Sequence, residues 1–421
     1  MATPKLRFKE FNDNWLKVDI QSLVDEKNID KPMDGNHGEI HPTSADYVED
    51  GIPFVMATDV IDGKVYLDKS KKIKKSQADG LRKGFSLEGD ILLTHKATIG
   101  NVAKVPELKT PYIMLTPQVT YYRVLNKDKL NQDFIKSTFE APVFQNALLA
   151  LCTGATRLYI GISEQRKLPF SYPSKKEQTK IASFLSAVDE KISQLTQKHA
   201  LLSQYKQGMM QKLFSQQIRF KADDGSEFGE WEDKILKDLF PKIRNGFVGV
   251  ATPYYVNYGV KYLQGKNIKN GKIDATGLIF INQEFHQKKT NSILKTNDIL
   301  MVQSGHVGEC AVVTEDYDNA NCHALLVLSP KSSKLINSKF VVYYFYSEIG
   351  KKKIALIKTG NTIEHILASD IKEVALLFPC LAEQTKIANF LSAIDQKIEV
   401  VAQQIEQAKT WKKGLLQQMF V

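Results

Sequence analysis

Two stretches of the chain carry apolar residues at alternating steps of four and three, with polar residues between them. The first begins at Ile181 and the second at Ile387, and each continues for about five heptads. Such a seam predicts two long α-helices that pair along their apolar stripes as a coiled coil. The seam residues are Ile181, Leu185, Val188, Ile192, Leu195, Leu202, Met209 and Leu213 in the first stretch, and Ile387, Leu391, Ile394, Ile398, Val401, Ile405, Ala408, Leu415 and Met419 in the second.

Polar residues interrupt both seams. His199 and Lys206 occupy seam positions in the first stretch, and Lys412 occupies the position equivalent to Lys206 in the second. A polar group in a seam lowers stability but selects one register and one partner. We therefore expect one defined antiparallel pairing, in which helices of roughly 36 residues, about 54 Å long, act as a spacer.

The rest of the chain mixes short β-rich runs with Gly, Asn and Pro breakers and a few helical patches. The clearest runs are 91–94, 119–124, 299–303 and 324–328. Short apolar runs bounded by turn residues predict strands, and their mixture with helical patches is typical of compact α+β domains.

The chain also repeats itself. EQTKIASFLSAVDEKI at 177–192 recurs as EQTKIANFLSAIDQKI at 383–398, with thirteen of sixteen positions identical and an offset of 383 − 177 = 206. Further upstream the offset becomes 208, where EGDILLTHKATIGNVAKV from Glu88 pairs with TNDILMVQSGHVGECAVV from Thr296. A period this long excludes a solenoid and indicates a duplicated domain.

The repeat divides the chain into four segments. We expect a first α+β domain at 1–172, a first spacer helix at 173–217, a second α+β domain at 218–378 and a second spacer helix at 379–421. The polar, turn-rich linker within 217–229 lets the chain leave the first helix and begin the second domain. The predicted fold class is therefore two similar α+β domains, each followed by a long helix, with approximate twofold symmetry.

Composition narrows the class of protein. The 421 residues include 57 Lys and Arg against 47 Asp and Glu, a net charge of +10, with 43% hydrophobic and 25% charged residues. This excludes a mainly disordered, collagen-like or membrane-embedded chain. The amino terminus is charged where a signal peptide needs an apolar run, so we expect a soluble, cytoplasmic protein. The basic balance favours a polyanionic partner.

Basic residues cluster in both domains, and these clusters are candidates for DNA phosphate contacts. Charge alone leaves a plain solvated face equally open, because lysine runs are common on protein surfaces. The candidate residues are Lys71, Lys72, Lys74, Lys75, Arg82 and Lys83 in the first domain, and Lys266, Lys269, Lys288 and Lys289 in the second.

The two copies keep a common frame and differ at its polar tip. Asp90, Ile91, Leu92 and Gly100 match Asp298, Ile299, Leu300 and Gly308. The residues that differ carry side chains able to hydrogen-bond base edges, so they are candidates for sequence readout; simple drift of duplicated loops is the alternative. These candidates are Thr94, His95, Lys96 and Thr98 in the first copy, and Gln303, Ser304, His306, Gln264, Lys266 and Asn267 in the second.

Known catalytic signatures are missing from the sequence. It contains no GxxxxGK[ST] phosphate loop, no GxGxxG, no HExxH, no GxSxG and no [DNS]PP[YFW] string. The four cysteines lie far apart without a CxxC pair, which argues against a disulfide framework and a zinc site. We therefore expect neither catalytic residues nor a metal site in this chain.

Each copy opens with an RFK…W segment and closes with a TGxT…P…EQTKIA.FLSA.D.KI helix. In this pattern the chain resembles, over essentially its full length, the specificity (S) subunit of a type I restriction-modification enzyme. The resemblance implies two variable target-recognition domains, each of which reads one half of an interrupted double-stranded DNA sequence. It implies that the two helices pair antiparallel, set the gap and dock two modification (methyltransferase) subunits, which restriction (translocase/endonuclease) subunits then join. S-adenosylmethionine, ATP and Mg are expected on those partners, and no cofactor on this chain.

The repeated helix start is the predicted common surface, where the helices meet each other and the partner subunits. A stand-alone duplicated DNA-binding regulator without a methyltransferase partner is the alternative; catalysis by His95 and His306 would not explain why the tips differ between copies. The predicted interface residues are Glu177, Gln178, Ile181, Phe184, Leu185 and Asp189, with Glu383, Gln384, Ile387, Phe390, Leu391 and Asp395.

Overall fold

The computed structural model describes residues 3–154, 158–360 and 364–421, so the last two residues of each TGxT string, 155–156 and 361–362, lie outside the described residues. The described chain forms two compact units: unit 1 is Met1–Thr196 with Gln403–Val421, and unit 2 is Gln197–Ala402. Each unit therefore holds the start of one long helix and the end of the other. The units differ from the four predicted segments because the apolar stripes of both helices are built into the domain cores.

Unit 1 contains two main sheets and a set of helices. One sheet has the order β10-β9-β12-β2 and is antiparallel, and the other has the order β3-β7-β4-β11-β8, in which β4 and β11 run parallel. Its strands are β1 Leu16–Asp19, β2 Met33–Asp34, β3 Tyr47–Val48, β4 Ile52–Val55, β5 Val60–Ile61, β6 Lys64–Val65, β7 Lys71–Ile73, β8 Phe85–Ser86, β9 Ile91–Lys96, β10 Thr98–Lys104, β11 Ile113–Leu115, β12 Val119–Tyr122 and β13 Pro169–Tyr172. Its helices are α1 Ile20–Asp25, α2 Lys75–Asp79, α3 Gln132–Glu140, α4 Pro142–Ala150, α5 Ile162–Gln165 and the start of α6 Lys175–Phe214.

Unit 2 repeats this frame with the shared strands in the same order, but among the described residues its second sheet has no strand in the place of β8. Its sheets are β15-β24-β21-β22, again antiparallel, and β16-β20-β17-β23, in which β17 and β23 run parallel. Its strands are β14 Glu232–Ile235, β15 Lys242–Asn245, β16 Tyr255–Val256, β17 Val260–Leu263, β18 Ile268–Lys269, β19 Lys272–Ile273, β20 Ile279–Ile281, β21 Ile299–Val302, β22 Cys310–Val312, β23 Asn321–Cys322, β24 Leu325–Ser329 and β25 Ala375–Phe378. Its helices are α7 Leu236–Leu239, α8 Gln283–Lys288, α9 Ser338–Tyr346, α10 Glu348–Leu356, α11 Ala368–Lys372 and the start of α12 Leu381–Met419.

The central strand β9 shows why these sheets form. Ile91 and Leu93 point into the core that the helices cover, whereas Leu92 points into the core shared with Val55 and Leu115 of the second sheet. A strand buried on both faces reads as a continuous apolar run, and β21 does the same in unit 2. The predicted strands at 91–94, 119–124, 299–303 and 324–328 are confirmed within a few residues.

A buried glutamate anchors the start of each long helix to its own domain. Glu177 accepts two hydrogen bonds of 2.7 Å from Arg7 and one of 3.3 Å from the Trp15 indole. In unit 2, Glu383 accepts hydrogen bonds of 3.0 and 2.8 Å from Arg219 and one of 3.0 Å from Trp231. The opening RFK…W segment and the closing EQ pair of each repeat are thus two halves of one structural joint.

The neighbouring glutamine completes the joint. Gln178 accepts a hydrogen bond from the Asn131 amide, and its own amide donates to the carbonyls of Lys129 and Pro173. Gln384 bonds Asn337, Leu335 and Pro379 in the same way. Glu177, Gln178, Glu383 and Gln384, predicted to lie where the helices meet, instead face the globular part of their own unit, because a buried carboxylate or amide needs such partners.

Within each unit the two helix segments run antiparallel. In unit 1, Trp15 contacts both Glu177 and Phe420, whereas seven residues further along α6 the Phe184 ring lies 5.9 Å from Trp411. In unit 2, Phe214 contacts Phe340 beside the Trp231–Glu383 joint, and Lys206 pairs with Asp395. Ile181 and Leu185 of unit 1, and Ile387 and Leu391 of unit 2, are buried in the resulting cores.

The two seam lysines form ion pairs between the helix segments within each unit. Lys206 Nζ lies 2.6 Å from Asp395, and Lys412 Nζ lies 2.7 Å from Asp189. Burial opposes ionisation of Asp189, but Lys136 and Lys412 hold its pKa below the usual range. Because an unpaired charge at these half-buried positions would be unfavourable, the two pairs favour a single register.

Among the described residues, no helix has both the length and the apolar character that crossing a bilayer requires.

Candidate nucleic-acid interface

A hairpin tip of unit 1 and its counterpart in unit 2 carry several of the readout candidates. Lys96, Ala97 and Thr98 are exposed at the turn between β9 and β10, and Ser304 and His306 are exposed between β21 and β22. The shared glycine behind each tip has a left-handed backbone, with φ +90° at Gly100 and +93° at Gly308. This backbone explains why the frame keeps glycine there while the tip residues change.

Thr94 and His95 lie inside the domain rather than at the tip. The Thr94 hydroxyl accepts a hydrogen bond from the Asn101 amide, and His95 Nδ1 lies 2.9 Å from the Ile160 carbonyl. Burial lowers the pKa of His95, which favours its neutral form. The predicted readout loop at 94–98 is therefore shortened to 96–98, because β9 continues to Lys96 and the two polar side chains find partners within the domain.

Asn267 is likewise a structural residue. It is fully buried, its side chain accepts a hydrogen bond from the Gln264 amide, and it donates to the Asp274 carbonyl. Asp59 bonds the Met56 amide at the equivalent position of unit 1. The exchange of Asp for Asn thus preserves a cap on a short 3₁₀ turn, so Asn267 is not available to a base in this conformation.

The parallel strand pair of each unit ends beside the tip. In unit 1, β4 and β11 end before Met56 and Thr116, and the Thr116 amide donates to the Val55 carbonyl at 3.0 Å. In unit 2, β17 and β23 end before Gln264 and His323, and the His323 amide donates to the Leu263 carbonyl at 2.8 Å. These hydrogen bonds make Thr116 and His323 equivalent, as Met56 and Gln264 are.

A charged cluster lies behind the tip in unit 1. Asp34 at the end of β2 bonds Lys83 and His37, and its carboxylate lies 4.0 Å from His95 Nε2. Burial alone would raise the pKa of Asp34, but the hydrogen bonds from Lys83 and His37 hold it below the usual range. The cluster therefore keeps an anion beneath the tip and anchors Lys83, so this lysine is not free to contact a phosphate.

Aromatic residues take this place in unit 2. His323 Nδ1 lies 3.0 Å from the Tyr262 hydroxyl, and the Lys289 ammonium lies 5.0 Å from the centre of the Phe247 ring. Burial lowers the pKa of His323 and so favours a neutral ring. The Val248 side chain, next to Phe247 in the sequence, is strongly exposed. Unit 2 therefore presents stacking and apolar groups where unit 1 presents charges.

The remaining basic candidates are spread over the two units. Lys71 lies opposite Phe54 near the edge where Met56 follows β4, whereas Lys74 and Arg82 lie exposed elsewhere in unit 1. Several of the candidates carry an acidic partner, which reduces the local positive charge: Lys75 with Asp79, Lys72 with Asp50, Lys269 with Asp274 and Lys288 with Glu284. Lys266 is exposed beside the Gln264 turn of unit 2.

The helix candidates separate into two groups. Phe184 contacts Trp411 of the other helix, and Asp189 and Asp395 form the seam ion pairs. Phe390 instead packs on Phe220 of the linker.

Sequence reasoning missed residues that β-pairing brings to the tip. These are Asp34, His37, His41, Thr116 and Gln118 in unit 1 and Phe247, Tyr255 and His323 in unit 2. The exchange of Thr116 for His323 was a usable signal. It was hidden because the offset between the copies changes from 208 to 206 next to it, so simple alignment places neither residue opposite the other.

Comparison with protein families identifies both halves of the chain. A model of the type I restriction modification DNA specificity domain matches residues 34–204 and again residues 229–410. These two ranges follow the duplication and together span most of the chain.

Individual relatives match this chain over most of their length. A putative type I restriction enzyme specificity subunit, MjaX of Methanocaldococcus jannaschii, is 26% identical over 376 residues, 87% of this chain and 85% of that protein. The EcoBI specificity subunit of Escherichia coli is 21% identical over 426 residues, 96% of this chain and 84% of its own. The crystal structure of a type I restriction-modification S subunit from M. genitalium superposes with a TM-score of 0.59 at 16% identity, and covers 100% of this chain and 99% of its own. That structure shares the two-domain fold.

Proposed function

From the premise that this chain belongs to the type I restriction-modification DNA specificity family, we propose that unit 1 and unit 2 each read one half of an interrupted DNA target. The observation that carries this proposal is the duplicated frame. The order of the shared strands and equivalent backbone hydrogen bonds recur in both units, while the exposed residues at the tip differ. Two domains with the same fold but different exposed side chains are suited to the recognition of two different half-sites.

We propose that each tip enters a major groove. Lys96 and Thr98 in unit 1, and Ser304 and His306 in unit 2, are exposed side chains of the kinds that bond base edges. Lys71 and Lys74 of unit 1 and Lys266 of unit 2 would then supply contacts to the phosphate backbone, which position a protein without specifying sequence.

The paired helices are proposed to fix the gap between the half-sites. The ion pairs Lys206–Asp395 and Lys412–Asp189 support one register, so the length over which the helices pair is fixed. Half-sites read from major grooves lie about one helical turn apart, roughly 34 Å. The exposed helix faces are proposed to dock two modification subunits, to which restriction subunits add.

We propose that this chain recognises the DNA sequence and that its partner subunits catalyse the reactions. S-adenosylmethionine would then bind the modification subunits, and ATP and Mg the restriction subunits. His95 is buried, and its Nδ1 atom lies within hydrogen-bonding distance of a carbonyl of its own domain, which suits a structural role. The stand-alone regulator is not favoured, because the matched family and the relatives are specificity subunits of restriction enzymes.

Mapping the methylated bases in cells that express this chain with its modification subunits tests the proposal. We expect two fixed, unrelated sequence blocks separated by a constant number of unspecified base pairs, because each unit reads separately. Cells that express the modification subunits without this chain are the control and should lack the motif. A single continuous motif, or methylation that does not depend on this chain, would contradict the proposal.

A further inference from the structure

A cleft with both polar and apolar lining opens at the edge of unit 1, where the tip meets the parallel strand pair. Its volume is about 280 Å³. The β9 tip contributes one wall, the residues after β4 and β11 contribute the floor, and a short 3₁₀ turn at Gly38–Ile40 contributes the other wall. We call it the Thr116 cleft; its polar and apolar lining comes from His37, His41, Met56, Lys96, Thr116 and Gln118.

Thr116 lines the cleft and carries a buried hydroxyl that makes no hydrogen bond within the described residues. Thr116 is only 4% exposed, and no group among the described residues bonds its Oγ1 atom. His41 Nδ1, also on the lining, is buried and has no partner within the same described part of the chain. A buried polar atom without a partner is unfavourable, so a ligand in the cleft that brings its own hydrogen-bonding groups would favour a turn of either side chain toward it.

The equivalent positions of unit 2 carry different chemistry. Thr116 is replaced by His323, Met56 by Gln264 and Lys96 by Ser304. The backbone hydrogen bonds that hold Thr116 and His323 are the same in both units. A fixed backbone with exchanged side chains is the pattern expected of positions that determine specificity rather than of positions that hold the fold.

We infer that the Thr116 cleft receives the edge of one base in the half-site that unit 1 reads, with the Thr116 hydroxyl as a specificity-determining group. This inference rests on the proposed function and assigns one residue with which unit 1 distinguishes between bases. A threonine hydroxyl both donates and accepts, so it can bond an exocyclic amino or carbonyl group of a base. Met56 offers an apolar contact beside it, and Lys96 at the exposed rim lies where a phosphate or a guanine edge would pass.

The test compares Thr116→Val with Thr116→Ser in the complex with the modification subunits. Valine keeps the shape of threonine but removes the hydroxyl, whereas serine keeps the hydroxyl. Methylation of a library of duplexes randomised within each half-site gives the preference at every position. We expect Thr116→Val to lose about tenfold of its discrimination at one position of one half-site. Thr116→Ser should retain the wild-type preference.

Thr120→Val is the matched control. Thr120 is also a fully buried threonine whose hydroxyl has no partner among the described residues, but it does not line the cleft. It should leave every base preference unchanged. Neither valine variant should lower the melting temperature, since each removes a hydroxyl that makes no bond within the described protein.

Two results would overturn the inference. Thr116→Val could keep the wild-type base preferences, as expected if only water fills the cleft. It could also reduce methylation of all sequences equally, as expected if Thr116 has only a structural role. Both results leave the proposed function intact, because the wild-type motif would still be bipartite. A wild-type complex without a bipartite motif would instead reject the proposed function itself.

Discussion

Replacing Glu383 by alanine should lower the free energy of unfolding of unit 2 by about 3 kcal/mol. The Glu383 side chain is fully buried and holds both the Arg219 guanidinium and the Trp231 indole. Its removal leaves a guanidinium that is 17% exposed without its carboxylate, and an indole N–H without an acceptor. The joint between helix and domain would then open, because no other side chain of the described residues replaces Glu383 in these bonds.

Chemical denaturation, monitored by hydrogen exchange, measures this loss of stability and locates it in unit 2. Glu373→Ala is the matched control, since Glu373 forms an exposed pair with Lys237 in the same unit; exposed pairs contribute under about 1 kcal/mol. Similar small losses in both variants would show that the buried joint does not hold the helix. Glu177→Ala should reproduce the large loss in unit 1.

Adding one heptad to each long helix should lengthen the gap in the DNA target by about three base pairs. Seven residues inserted after Thr196 in α6, and seven after Ala402 in α12, add about 10 Å of helix, and each base pair rises about 3.4 Å. Both insertions fall where the chain passes from one unit to the other, so they preserve the phase of the seam and the contacts within each unit. Methylation mapping reads the gap directly.

The control is an insertion that lengthens the chain without lengthening a helix. Seven Gly and Ser residues between Asp224 and Gly225 enlarge an exposed turn of the linker. We expect the original gap in that variant. If the helix insertions also preserve the original gap, or if both kinds of insertion change it, helix length does not set the spacing.

The sequence predicted the duplication, the α+β class and the helix seam because each is a local or periodic signal. The seam at Ile181 and Leu185 follows directly from helical periodicity, and the lysines that interrupt it mark real ion pairs. The hydrogen bonds that Glu177 forms at the joint were not predicted from the sequence. Its partners Arg7 and Trp15 lie more than 160 residues away in sequence, although both were noticed as repeated residues.

The site was harder to predict because burial and long-range pairing decide it. Thr94 and His95 have side chains typical of readout, yet β9 is buried on both faces as far as His95, so they bond inside the domain. Thr116 is inconspicuous in the sequence, and only the parallel pairing of β4 with β11 brings it beside Lys96. The lysine clusters were evident in the sequence, but the acidic residues that pair with them were evident only in the structure.

Two independent readers on one chain should respond separately to substitution, and a reciprocal pair of methylation maps measures this. One map uses the double variant Lys96→Ala and Thr98→Ala in unit 1, and the other uses Ser304→Ala and His306→Ala in unit 2, all at exposed positions. We predict that each double variant changes or relaxes one half of the wild-type motif and leaves the other half and the gap as they were. Loss of both halves together in either variant, or changes in the same half by both, would show that the two units do not read DNA independently.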